Sequence, residues 1–171
     1  MKLILVRHAE AAAKGDNGVL KDFDRPLTET GREQARKLAL AFQAHGVMPG
    51  AVVSSPLVRA RETAEPLLPL LSGPVKEPVY TDYLAVGELR PKKLAKLVAD
   101  LGVETVILIG HNPDLSAYAG WLLGADESAI ELEKGAAALI EFDGEVEKGA
   151  GRLGWLVTPG WFMGAVAPVG G

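Results

Sequence analysis

The chain is 171 residues long, with 48% hydrophobic and 23% charged residues, the size and balance of a soluble globular unit with one substantial core. Its net charge of -4 gives no general pull toward nucleic acid or an anionic membrane, so any anion site has to be a local cluster of positive charge. The absence of cysteine excludes disulfides, thiolate nucleophiles and cysteine metal sites.

Lys2 to Val6 is a continuous apolar run of the kind that forms a buried parallel strand, and it ends abruptly in Arg7-His8. The run is too short for a signal peptide, and no stretch approaches the length of a membrane span; a cytoplasmic protein is expected. Glu10 to Arg25, with Gly15, Asp16, Asn17 and Gly18, reads as a loop. Thr30 with Glu33 three residues on forms a capping box, and Ala35, Leu38, Ala39 and Phe42 make the apolar stripe of a helix that Gly46 ends. Ala51 to Ser54 is a second strand. Ser55 then caps a helix with Pro56 at its first position, which Pro66 ends or kinks.

Val75 to Tyr80 is a weak strand because of Pro78. A helix follows from about Pro91, with Leu94, Leu97, Val98 and Leu101 on one face. Thr105 to Ile109 is another fully apolar strand, and the helix after it starts at Asp114 and stops at Gly124. Ala136 to Phe142 and Arg152 to Val157 read as two late strands that pair antiparallel. The tail from Gly160 shows no clear period, and its Trp161, Phe162 and Met163 are set to pack on the domain or on a partner. Alternating strands and helices predict an α/β fold, a three-layer α/β/α arrangement on a mainly parallel sheet, in a single domain over 1-171.

In such a sheet, sites form beyond the carboxyl ends of the strands. Three strands here end in polar residues: Arg7-His8, Ser54-Ser55-Pro56 with Arg59 one turn on, and His111-Asn112-Pro113 after Gly110. If the strands are parallel, two histidines and two arginines share one edge. Imidazole is a nucleophile near neutral pH, and arginine presents a permanent positive fork to phosphoryl oxygens. Those groups can supply the charge without a metal ion or other cofactor. A metal hydrolase built on His8 and His111 is the competing reading, but the chain lacks an H-E-x-x-H pair.

Arg7-His8-Ala9-Glu10 after an N-terminal strand resembles the Arg-His-Gly signature of the histidine phosphatase superfamily. Leu27-Thr28-x-x-Gly31-x-x-Gln34-Ala35, Ser54-Ser55-Pro56-Leu57-x-Arg59-Ala60-x-Glu62-Thr63 and Ile109-Gly110-His111-Asn112 resemble the family's later elements, in the same order. The resemblance implies that His8 becomes phosphorylated and that Arg7, Arg59 and His111 complete the phosphate pocket; His111 is expected to be protonated while it holds the phosphoryl oxygens. It departs from the pattern at Ala9, where glycine is usual and a methyl is expected to crowd the loop.

The general acid implied by larger family members falls to Asp82, with Glu88 as competitor. Only 47 residues (64-110) separate Thr63 from His111, too few for a large cap. A small, open member resembles the bacterial phosphohistidine phosphatases, and Arg25-Pro26-Leu27-Thr28 resembles that branch, which puts Arg25 within reach of phosphate. The partner implied is a phosphorylated protein such as a histidine phosphotransfer domain. A phosphatase or mutase for small phosphate esters is the alternative, and a phosphoprotein-binding module without activity is a third reading.

Overall fold

The computed structural model describes residues 1-164. It contains strands β1 (Lys2–Arg7), β2 (Ala51–Ser54), β3 (Val79–Tyr80), β4 (Thr105–Gly110), β5 (Ala137–Glu141) and β6 (Arg152–Val157). The helices are α1 (Glu29–Ala44), α2 (Val58–Ala64), α3 (Pro91–Asp100), α4 (Asp114–Leu123) and α5 (Pro159–Phe162). One sheet runs in the order β3-β2-β4-β1-β5-β6. The four strands from β3 to β1 are parallel, and β5 and β6 add antiparallel on the β1 side. The mainly parallel α/β arrangement expected from the strand-helix alternation is the arrangement found.

The period-two geometry of β1 divides the core. Leu3 and Leu5 face a layer containing Leu94, Val98, Tyr118 and Leu122, from α3 and α4. Ile4 and Val6 face Leu38, Phe42, Ala60 and Leu67, from α1, α2 and the turn after α2. All four β1 side chains are almost completely buried, which is why this strand reads as an unbroken apolar run.

Several boundaries differ from the sequence reading. The cap of α1 is Thr28 and not Thr30: the Thr28 hydroxyl accepts from the Gly31 amide at 3.0 Å. Glu33, the expected capping-box partner, instead pairs with Arg36 at 2.7 Å. The helix after β2 starts at Val58, two residues beyond Pro56, because Ser55 is drawn into a turn with the Leu57 amide. The weak third strand is reduced to Val79–Tyr80, immediately after Pro78. At the C-terminal end, Phe162 is buried against the α1 side of the core, whereas Trp161 is exposed; residues 165-171 of the tail lie outside the described residues. No helix among the described residues is long and apolar enough to cross a membrane.

Candidate active site

Strand register places the two histidines. Arg7 lies opposite Gly110 across the parallel β1–β4 pair, so His8 and His111 are the first residues past the ends of adjacent strands. The His8 amide then donates to Gly110 O at 3.0 Å. Parallel neighbours lie roughly 4.8 Å apart, and the two imidazole centroids are 4.9 Å apart, tilted by 52°. On the other side of β4, Ser54 lies opposite Ile109, which brings Ser55 beside Gly110, and its hydroxyl is 2.8 Å from Nε2 of the next residue, His111. From the first turn of α2, the Arg59 side chain returns to the same point, with Nε 3.3 Å from His8 Nε2. His8, Arg59 and His111 are all buried.

The contact with Ala9 fixes the tautomer of His8. His8 Nδ1 lies 2.7 Å from Ala9 O, which can only accept, so Nδ1 carries the proton. Nε2 therefore presents its lone pair to the pocket, covered by the Arg59 N–H. The Ser55 hydroxyl accepts from the Leu57 amide at 3.3 Å and pairs with His111 Nε2 at 2.8 Å. His111 Nδ1 is a buried atom with no partner. Arg7 Nη1 donates to Leu132 O at 2.8 Å, whereas its Nε is also buried and unpartnered. Buried polar atoms left without partners are costly, and Arg7 Nε, a permanent donor, beside His111 Nδ1 at one strand edge marks a place for an anion.

The loop carrying His8 is braced by residues remote in sequence. The Ala9 amide donates to Thr63 Oγ1 at 3.1 Å, and that hydroxyl donates to Arg59 O at 2.7 Å, which ties the His8 loop to α2. The Glu10 amide donates to Gln34 Oε1, and the Leu27 amide donates to Glu62 Oε2. Gly31 is needed because a Cβ there would lie 1.9 Å from Glu10 O. The Ala9 methyl packs with Ala11, Leu27 and Ala35.

Electrostatics set the ground state. Burial, followed by the nearby charges of Arg59, Arg7 and Lys134, outweighs the Ala9 carbonyl and pushes the His8 pKa down to about 3. Burial, then His8 and Arg59, push His111 down to about 3 as well. His111 is therefore neutral until an anion arrives, and an arriving dianion favours its protonation by the opposite effect. Both histidines have folded values below the unfolded value of roughly 6.5, so below that pH the unfolded chain binds more protons than the folded one. Stability should fall as pH drops from 6.5 toward 3, by at most about 2 kcal/mol for each histidine at pH 5. Asp22, whose pKa is lowered, loses its contribution only below the usual carboxylate range, so urea midpoints between pH 5 and 6.5 isolate the histidines. A His8→Gln/His111→Gln double variant should show a flatter profile there. An unchanged slope would contradict the assignment.

The remaining candidates lie at the rim. Arg25 Nε donates to Ala12 O at 2.6 Å and its Nη1 pairs with Asp22 at 2.7 Å; its charge also depresses the pKa of His111. Asp82, itself exposed, opens a 3-10 turn, Asp82–Leu84, that packs against the end of β4 through the buried Leu84, close to Gly110. Its carboxylate makes no hydrogen bond or ion pair among the described residues. Glu88 is exposed and pairs with Arg90 at 3.7 Å. Sequence reasoning missed Asp22, whose carboxylate lies 3.0 Å from Arg59 Nη2 and whose carbonyl accepts from Nη1 at 2.8 Å. The i, i+3 spacing of Asp22 and Arg25 was the available signal. Among the described residues, no group of three or more His, Asp or Glu is placed to hold a metal ion.

Comparison with known proteins identifies the family. The model of the histidine phosphatase superfamily (branch 1) matches residues 3-84, which contain Arg7, His8 and Arg59. The chain belongs to the histidine phosphatase superfamily. It is 33% identical over 173 residues to an uncharacterized protein of Picosynechococcus, covering 95% of this chain and 99% of that one. It is 27% identical to the phosphohistidine phosphatase SixA of Escherichia coli, covering 93% and 94%. A solved structure of the protein histidine phosphatase SixA complexed with tungstate superimposes with a TM-score of 0.78 at 25% identity, covering 93% of this chain and 97% of that one. Members of this SixA-like group share the sheet and the histidine phosphatase fold of the present chain.

Proposed function

We propose that this protein is a single-domain, metal-independent phosphatase that removes phosphate from phosphohistidine on signalling or phosphotransfer proteins through a phosphohistidine intermediate on His8. The observation that carries the proposal is the state of His8: a neutral ring with Nδ1–H held by Ala9 O and the Nε2 lone pair facing Arg59 and His111. A binding module needs the cations but has no use for a nucleophile held in this tautomer.

Nε2 attacks phosphorus in line, the Nε2–P bond forms and the P–N bond to the substrate imidazole breaks. The leaving imidazole takes up a proton from solvent at its other ring nitrogen, and the water that later attacks phospho-His8 returns one to solvent. Arg59 Nε transfers its hydrogen bond from Nε2 to a phosphoryl oxygen, and Arg7 Nε and His111 Nδ1 gain the partners they lack in the empty pocket. Water then attacks phospho-His8 and releases inorganic phosphate.

The substrate class rests on the surroundings of the pocket. A groove of about 580 Å³ opens beside Arg7, lined by Asn112, Ser116, Glu127, Ser128 and Glu131. Its two glutamates oppose phosphate esters that carry a carboxylate of their own. Positions 65-104 form only short turns, β3 and α3, with no cap-sized insertion, which suits a protein-borne imidazole. The SixA relatives, by name phosphohistidine phosphatases, support the same reading.

The test is hydrolysis of a phosphohistidine protein, an aryl phosphate and an acidic phosphate ester, each with and without chelator. Chelator-insensitive turnover fastest on phosphohistidine is expected; faster turnover of the acidic ester would reverse the substrate assignment. Asp82→Asn should slow the aryl ester more than phosphohistidine, because an alkoxide or phenoxide leaving group needs the proton more than an imidazole does. Equal losses would leave Asp82 a structural residue, and an effect confined to Glu88→Gln would move the acid there.

A further inference from the structure

The carboxylate of Asp22 occupies the donors that a phosphoryl group needs. Its Oδ2 lies 3.0 Å from Arg59 Nη2, its Oδ1 lies 2.7 Å from Arg25 Nη1, and its backbone carbonyl accepts from Arg59 Nη1 at 2.8 Å. Arg59 Nε is on His8, so all three Arg59 nitrogens are engaged by the protein itself. A carboxylate and a phosphate offer the same planar array of acceptors to an arginine fork.

The two partners are unequally anchored. The Arg59 side chain is 4% exposed and the Asp22 side chain 49% exposed. Arg59 is fixed on α2 beneath the sheet edge, whereas Asp22 sits on a three-residue turn, Asp22–Asp24, none of whose residues is buried. When an anion arrives, it is the aspartate that can yield.

We propose that Asp22 is an internal competitor of the phosphoryl group: its carboxylate holds Arg59 and Arg25 in the empty enzyme, gives way to the substrate, and returns to expel inorganic phosphate. The inference rests on the pocket being a phosphoryl site. It assigns Asp22 control of anion affinity and product release. A buried guanidinium without a counter-charge is costly, so the exchange keeps the pocket assembled between turnovers.

The competitor role and a scaffold role predict opposite signs. Asp22→Asn keeps the shape and removes the charge. If Asp22 competes with phosphate, inorganic phosphate should bind on the order of tenfold more tightly to this variant, since an arginine-carboxylate bond no longer has to break. If Asp22 serves only to place Arg59, phosphate should bind more weakly. Titration calorimetry with inorganic phosphate on the full chain reads the sign directly, with Asp22→Ala as a second variant and Asp24→Asn on the same turn as a control expected to leave the affinity unchanged. Tighter binding in either Asp22 variant, with Asp24→Asn unchanged, supports the inference. Weaker or unchanged binding in both overturns it but leaves the pocket standing, provided Arg59→Ala still weakens phosphate binding to the otherwise native chain. Phosphate binding that ignores Arg59→Ala overturns the pocket and the inference together.

Discussion

His8→Ala should abolish turnover, with a loss of about four orders of magnitude or more, the scale found when a covalent nucleophile is removed. The expectation follows from the His8 ring itself. Its Nδ1 is committed to Ala9 O, its Nε2 carries the lone pair, and burial with neighbouring cations holds the pKa at about 3, so the ring is unprotonated at every pH where the enzyme would work. Alanine offers no atom to attack phosphorus, and the Nε2 of the neighbouring His111 is engaged by the Ser55 hydroxyl. Labelled substrate quenched in alkali should leave phosphate on the native protein and none on the variant. Alkali is required because phosphohistidine is labile in acid. Full turnover in His8→Ala would refute the nucleophile assignment, and chelator-sensitive turnover in that variant would bring back the metal-hydrolase reading.

What could be read from the sequence was what periodicity and strand ends encode. The apolar runs of β1 and β4 announced buried parallel strands, and parallel strands share a carboxyl edge. From there, Arg7-His8 and Gly110-His111 had to meet, and a register of Arg7 to Gly110 brings them to ring contact. The Thr28, Gly31, Gln34, Glu62 and Thr63 positions were visible as motif letters without a function. The structure supplies one: they brace the backbone just after His8 with side-chain bonds from α1 and α2 and a close approach of Gly31 to Glu10.

What could not be read is governed by loop closure and by local electrostatics. Asp22 and Arg59 are 37 residues apart, and nothing periodic connects a turn in an irregular loop to a helix on the other side of the pocket. Thr28 and Thr30 are both acceptable caps by composition. Thr28 is selected by tertiary contacts, since its amide donates to Glu10 O and its hydroxyl donates to the Glu10 carboxylate at 2.7 Å. The neutral state of His111 depends on burial and on the sum of surrounding charges, which a motif does not carry.

Arg59→Ala should leave the phosphoenzyme detectable but slow its formation by about a hundredfold or more, the scale for loss of one charge-stabilising donor. Arg59 is the only residue that bonds both the nucleophile and the loop over the pocket among the described residues. Its removal takes the positive charge from beside the phosphorus as the old bond breaks, and it uncovers His8 Nε2. The second effect softens the first: with one fewer cation nearby, the His8 pKa rises from its depressed value. The pH-rate profile separates the two. In the native enzyme the rate should not follow His8 protonation anywhere near neutrality, whereas in Arg59→Ala the acid limb should move to higher pH. Arg59→Lys restores the charge without the fork, so it should return the acid limb toward the native position while recovering only part of the rate, because a single ammonium cannot engage two phosphoryl oxygens as a guanidinium does. Equal rescue of rate and profile by lysine would show that charge alone is needed. A small loss in Arg59→Ala with an unmoved profile would remove Arg59 from the reacting centre.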